Sequence, residues 1–232
     1  MAALARSVLV TGSNRGIGLE LVRQLAASPR PPQHIFATCR DPKGPRGKAL
    51  QELAAQHSSI KLVQLVNLPS IQGAMQAVGY HLKDQGLNLL INNAGISSHT
   101  TLHSLDSQEM LDVFATNVVG PLQVVKVCLD LLGFSCLGRC SLIGIKSPPL
   151  PTQRSSAASK CQSLAYKEHG ILCVALHPGW VQTDMGSCIS PSSPQPPVTV
   201  DDSVQGMLKV LSSLSEKETG AFLDWEGKVR PW

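Results

Sequence analysis

Tyrosine is nearly absent from this chain. Two residues, Tyr80 and Tyr166, stand in 232 positions, and neither has a lysine four residues on. Chemistry that needs a phenol as proton donor is limited to those two side chains. Charge is sparse as well, at 16% of residues with a formal net charge of +4. That balance argues against nucleic acid or an anionic membrane as the main partner and leaves room for a local phosphate site. Seven cysteines are scattered (Cys39, Cys128, Cys136, Cys140, Cys161, Cys173, Cys188), with no CxxC pair and no Cys/His spacing for zinc. No metal site is expected. Most of these cysteines lie in apolar runs, where a reduced thiol packs as a small hydrophobe. This reads as a reducing, cytoplasmic setting. No stretch reads as long and apolar enough to cross a bilayer. The opening MAALARSVLVTG is too short for the apolar region of a signal peptide and runs directly into a glycine turn.

What is present is alternation. Short apolar or β-branched runs at 7–11, 34–38, 61–66, 87–92, 139–145, 171–177 and 221–224 read as strands. Helical periodicity falls between them, at 16–27, 47–56, 70–83, 109–132, 156–168 and 201–213. Strand and helix alternating at this spacing predicts an α/β fold. The expected form is a single doubly wound Rossmann-type domain over 1–232, with a mostly parallel seven-stranded sheet. Its prolines make SPSSPQPPV (190–198) a loop. In such sheets ligands bind beyond the carboxyl ends of the strands.

The strongest local motif is TGSNRGIG, residues 11–18. Gly12, Gly16 and Gly18 follow a strand and open a helix. Glycines there let backbone pass close to a pyrophosphate, and the helix start supplies unpaired N–H groups and a positive dipole end. Ser13, Asn14, Arg15 and Ile17 complete the loop. No acid closes the second strand, which ends in Thr38-Cys39-Arg40. Arg40 and Arg15 suit a ribose 2′-phosphate, so NADP(H) is expected over NAD(H).

TGSNRGIG, NNAG at 92–95, Asn117 in ATNVVGPL and HPGWVQTDM at 177–185 together resemble the short-chain dehydrogenase/reductase superfamily. ATCRDP (37–42) and the ending FLDWEGKVRPW narrow the resemblance to the C-factor-like, sniffer-type carbonyl reductases. The resemblance implies that NADPH delivers hydride to an aldehyde or ketone. It implies that Asn92 and the Asn93-Ala94-Gly95 turn hold the fourth strand and flank the adenosine ribose. It places Thr183, after Pro178-Gly179, on the nicotinamide carboxamide and Lys160 on the nicotinamide ribose. Family chemistry uses an asparagine, a serine, a tyrosine and a lysine.

Asn117 and Lys160 match that set. Ser156 stands where the tyrosine of YxxxK would be, and a serine hydroxyl is a far weaker acid than a phenol. The catalytic serine falls at Gly144 or Ile145, with Ser147 as a substitute if the loop re-aims it. Asn67 stands where an aspartate usually holds the adenine, and its amide oxygen offers a partial replacement. From Lys160 to the strand at 171 the helix is short by two or three turns, which removes surface relatives use to pair. A monomer or weak homodimer is expected. Two readings stay open: a weakened NADPH-dependent carbonyl reductase acting on a small molecule, or an inactive cofactor-binding or interaction protein.

Overall fold

The computed structural model describes residues 4–97, 106–133, 140–145, 160–187 and 195–231. Seven strands form one sheet: β1 Ser7–Val10, β2 His34–Cys39, β3 Ile60–Gln64, β4 Leu89–Asn92, β5 Cys140–Ile145, β6 Ile171–His177 and β7 Phe222–Asp224. Their order is β3-β2-β1-β4-β5-β6-β7, and every pairing between them is parallel. The chain leaves β1 toward β3, then returns to β4 and builds outward the other way. All strands therefore end on one edge, and the crevice at the switch point opens between β1 and β4.

Helices cover both faces: α1 Gly16–Ala27, α2 Lys48–Gln56, α3 Ser70–Leu82, α4 Ser107–Phe114, α5 Gly120–Gly133, α6 over 160–165, α7 Asp184–Ser187 and α8 Val200–Ser213. Alternation along the strands splits the core in two. Val8, Val10, Val174 and Leu176 pack toward Leu21, Leu25 and Met207, on the α1 and α8 side. Leu9, Phe36 and Leu90 pack toward Met75, Val124 and Cys128, on the α3 and α5 side. Strands buried on both faces must read as near-continuous apolar runs, which is why they were legible.

The helical stretch expected at 109–132 is there, but it is interrupted. A π-type turn, Ala115–Val119, joins α4 to α5 and carries Asn117. Such turns insert a residue into a helix and re-aim a side chain, often at a site. The continuous helix Ser107–Leu129 is also long and apolar enough to cross a membrane by length and composition, contrary to the expectation above. Its apolar residues Val113, Val118, Val124, Val125 and Cys128 are buried within the fold. Met110, Leu111, Phe114 and Leu122 of the same helix are exposed, so its place in the core accounts for only part of its apolar composition.

The described part of α6 ends close to the start of β6. Its described residues 160–165 lead through Tyr166, a 3-10 turn at Lys167–His169 and Gly170, at φ +67°, into β6. Six helical residues climb only about 9 Å. The seven residues of β6 span about 23 Å. The first described residue of α6, Lys160, therefore stands well below the edge of the sheet where the strands end.

At the opposite edge, His34 opens β2 against Phe36, with ring centroids 6.0 Å apart. Burial holds its pKa below the ordinary 6.5, with Lys61, His81 and Arg6 adding to the effect. A base whose folded pKa is depressed leaves the unfolded chain to take the proton first. Stability from this group is therefore intact at pH 7, falls as the pH drops below about 6.5, and levels off below the folded pKa. Urea midpoints measured from pH 7.5 down to 5.5 should show this slope, and His34→Gln should flatten it.

Candidate nucleotide site

The turn after β1 is built by glycines and braced from β4. Gly12 has φ +67°, and a Cβ there would lie 2.8 Å from Ala94 Cα. A Cβ on Gly18 would lie 2.1 Å from Gly12 O and 2.4 Å from Asn93 Nδ2. The Asn93 amide donates to Thr11 O at 2.9 Å and Gly12 O at 3.1 Å. The buried Thr11 hydroxyl accepts from the backbone N–H of Asn93 and of Ala94, each at 3.0 Å. Ser13 N donates to Thr38 O at 2.9 Å, and its hydroxyl to Val10 O at 2.8 Å. Of the Asn92 and Asn93-Ala94-Gly95 set expected to hold the fourth strand, it is the Asn93 side chain that makes the tie to the β1 turn. Asn92 is buried, and its Oδ1 has no hydrogen-bond partner.

The helix that follows begins open. Arg15 is the N-cap of α1 and makes no side-chain cap bond, and the first turn carries no acid. Its N–H groups therefore face the cradle without a side-chain acceptor. Ile17 packs against the core and fixes the helix on the sheet. From the other bank comes the turn after β6. Gly179, at φ +87°, packs so closely on Trp225 that a Cβ would sit 3.0 Å from the indole nitrogen. Ser203 donates to Pro178 O at 2.7 Å. This pinned turn brings the Thr183 methyl within 3.5 Å of the Cβ position on Gly16. Thr183 Oγ1 also accepts from Gly186 N at 3.1 Å, starting α7.

Asn117 closes the back of the crevice. Its Oδ1 accepts from Ile96 N at 2.9 Å and its Nδ2 donates to Ile96 O at 2.8 Å. The amide thus fixes the chain just beyond Gly95, whose Cβ position is 3.4 Å from Asn117 Oδ1. Both ends of the side chain are committed to backbone, a positioning arrangement.

The adenosine side is basic. After β2 come Arg40, Lys43, Arg46 and Lys48, with Arg40 exposed. Asp41 turns away to cap its own loop, accepting from Gly44 N at 2.9 Å. Asn14 Nδ2 reaches this loop at Arg46 O, 3.2 Å away. Arg15 does not. Its guanidinium pairs with Asp184 Oδ2 at 2.5 Å, on the opposite bank. Asn67 is also used differently from expectation: its Oδ1 accepts from Ser70 N at 3.2 Å and caps α3. Burial raises the pKa of the Cys39 thiol at the end of β2, and pushes Cys128 and Cys173 up to about 12. These thiols stay protonated and serve as packing.

Lys160 departs most from the sequence expectation. Its ammonium donates to Gly220 O at 3.1 Å. Phe222 pairs with Ala175, Ala175 with Gly144, and Gly144 with Asn92. Gly220 is two residues earlier than Phe222, about 7 Å below the Asn92 level and farther still below the glycine turn. The structure therefore does not bring Lys160 to the crevice. The cause is the short climb of α6 from β6, since a lysine at cofactor level would need about two more helical turns below it. Tyr166 lies lower again, where its carbonyl accepts from Ile171 N at 3.3 Å. Tyr80 is exposed on α3. Ser156 and Ser147 lie outside the described residues. Gly144 and Ile145 are seen as backbone of β5.

The cradle fits a dinucleotide: a glycine turn that side chains would fill, an open helix start aimed into it, and cations beside the adenosine end. Comparison with known proteins agrees. The family model for short chain dehydrogenase matches residues 6–147. The C-signal protein of Myxococcus xanthus is 32% identical over 172 residues, 68% of this chain and 100% of that protein. A solved NADPH-bound carbonyl reductase from chicken fatty liver is 45% identical, with a TM-score of 0.90 over 98% of this chain and 99% of that one. The carbonyl reductase Sniffer of Drosophila melanogaster is 34% identical, with a TM-score of 0.89 over 98% of this chain and 100% of that one. With a β1 turn braced by NNAG and a sheet ordered 3-2-1-4-5-6-7, the chain belongs to the short-chain dehydrogenase family of oxidoreductases.

Proposed function

We propose that this chain binds NADP(H) in the crevice between β1 and β4 and reduces a small aldehyde or ketone only slowly. The observation that carries the first half is the cradle of Gly12, Gly16 and Gly18 beside a cationic β2 loop that keeps its own Asp41 occupied. An acid free to meet ribose hydroxyls would favour NAD(H), whereas the Asp41 carboxylate closes its own turn and Arg40 remains exposed. A chicken carbonyl reductase of similar structure holds NADPH, which supports the same choice.

NADPH bound there would supply the hydride. The chain's own part is positioning: α1 and the glycine turn hold the pyrophosphate, Thr183 meets the nicotinamide end, and Asn117 keeps the Gly95–Ile96 backbone in place. Proton delivery is the deficient step. Lys160 Nζ, the group that would tune a proton donor, is hydrogen-bonded to Gly220 O. The same observation favours a second reading, a cofactor-binding protein with no useful turnover.

The test is a fluorescence titration with NADPH and NADH. NADPH should bind at least ten-fold more tightly. Arg40→Asp removes one charge-assisted contact, worth about 1.5–3 kcal/mol. It should weaken NADPH by roughly 10- to 100-fold and NADH by less than about two-fold. Equal losses for both cofactors would remove the NADP(H) assignment.

A further inference from the structure

We propose that Asp184 is a specificity-determining residue of the nucleotide site: it competes with a ligand's 2′-phosphate for Arg15. The proposal rests on the NADP(H) reading above and adds an opposing group to it. Two consecutive residues of the glycine loop are drawn to opposite banks. Asn14 reaches the β2 loop through Arg46 O, at 3.2 Å. Arg15, with extended backbone at φ −158° and ψ 169°, runs the other way to Asp184 Oδ2, at 2.5 Å. A phosphate on the adenosine ribose belongs beside Arg40 on the β2 bank. To serve it, the Arg15 guanidinium must leave Asp184.

The backbone on both sides sets up the contact. Asp184 is the first residue of α7, directly after Thr183, and the Thr183 methyl is 3.5 Å from the Cβ position on Gly16. Backbone on both banks is pinned, by the NNAG brace on one side and by Gly179 against Trp225 on the other. The carboxylate is therefore presented to Arg15 from a fixed place. It acts twice against a 2′-phosphate: it occupies the cation, and its own negative charge repels the phosphate's. A cofactor without that phosphate does not ask Arg15 to move. The ion pair is exposed, at 58% and 80% for its two side chains, so its effect is limited to a few-fold.

The experiment compares wild type, Asp184→Asn and Asp184→Ala, each alone and with Arg15→Gln. Binding of NADPH, NADH, 2′,5′-ADP and 5′-AMP is measured by calorimetry or fluorescence at low and raised ionic strength. Removing the carboxylate should tighten NADPH and 2′,5′-ADP about three- to five-fold at low salt. NADH and 5′-AMP should change by less than about 1.5-fold, since neither needs Arg15 on the β2 bank. The gain should shrink with salt as exposed charges are screened. It should also vanish in the Arg15→Gln background, where there is no cation to compete for. A wild type that prefers NADPH, with Asp184 variants that bind it unchanged or more weakly, overturns the competition; weaker binding of all four ligands would instead make the pair a clasp over the cofactor. A wild type with no preference between NADPH and NADH overturns the cofactor reading itself, and this proposal with it.

Discussion

Gly18→Ala should abolish useful nucleotide binding, with a loss of more than about a hundred-fold in NADPH affinity. The new Cβ would stand 2.1 Å from Gly12 O and 2.4 Å from Asn93 Nδ2. Neither neighbour has room to retreat. Gly12 sits so near Ala94 that it has no room for a side chain of its own, and the Asn93 amide is what ties β4 to the β1 turn. Relief must come from opening the turn or lifting α1, and either displaces the N–H groups that would meet a pyrophosphate. Overpacking of this kind costs about 1–3 kcal/mol of stability, or a fall in Tm of roughly 2–12 °C for a chain of this size. Thermal melts with and without NADPH separate the two effects. The variant should melt lower and gain nothing from ligand, while wild type gains several degrees. Gly73→Ala is the control: no atom lies within 4 Å of the new Cβ on α3, so helix propensity should raise stability by about 0.5–1 kcal/mol. A Gly18→Ala protein that still binds NADPH like wild type would show that this turn is not the pyrophosphate cradle.

The parts of this architecture that depend on short-range pattern were legible in the sequence. SVLV and ILCVALH announce strands buried on both faces. TGSNRGIG announces its turn because its spacing only makes sense where backbone must come close to something. The parts that depend on levels and on distant partners were not. A serine four residues before a lysine looks the same at any height on a helix. The count from Lys160 to the start of β6 did show in the sequence that the helix is short, but that this puts the ammonium on Gly220 O appears only once β6 and β7 are paired. The pairing of Arg15 with Asp184 spans 169 residues of sequence, and no local pattern signals it. Asn67 was read as a stand-in for an adenine contact, yet the nearest use for its oxygen is the start of its own helix, at Ser70 N. The π turn at Asn117 has no mark in ATNVV either. Its one consequence, an asparagine amide clamped on Ile96, appears only once α4 and α5 are seen as one interrupted helix.

Wild-type protein saturated with NADPH should turn over aldehydes, ketones and quinones at well under 1 s⁻¹, because loss of a positioned general acid typically costs about 10²–10⁴ in rate. The two tyrosines do not supply that acid: Tyr80 is exposed on α3 and Tyr166 lies at the amino-terminal end of β6. A lysine in the family's role would both hold the nicotinamide ribose and tune the donor, so its removal would weaken cofactor and rate together. Here Lys160 is bonded to Gly220 O, below the crevice. Lys160→Ala should therefore leave the NADPH dissociation constant within about two-fold of wild type. Among its contacts it removes a hydrogen bond from a cation to a carbonyl at a solvent-accessible position. That contact is worth about 1 kcal/mol and should appear as a Tm lower by roughly 2–4 °C. Ser156→Ala should change neither rate nor affinity, since an aliphatic hydroxyl is too weak an acid to carry the step. Two results would overturn this account of the site. A ten-fold or greater loss of NADPH affinity in Lys160→Ala would mean that the lysine reaches the cofactor after all. Turnover of about 1 s⁻¹ or more that survives Ser156→Ala would mean that another residue delivers the proton.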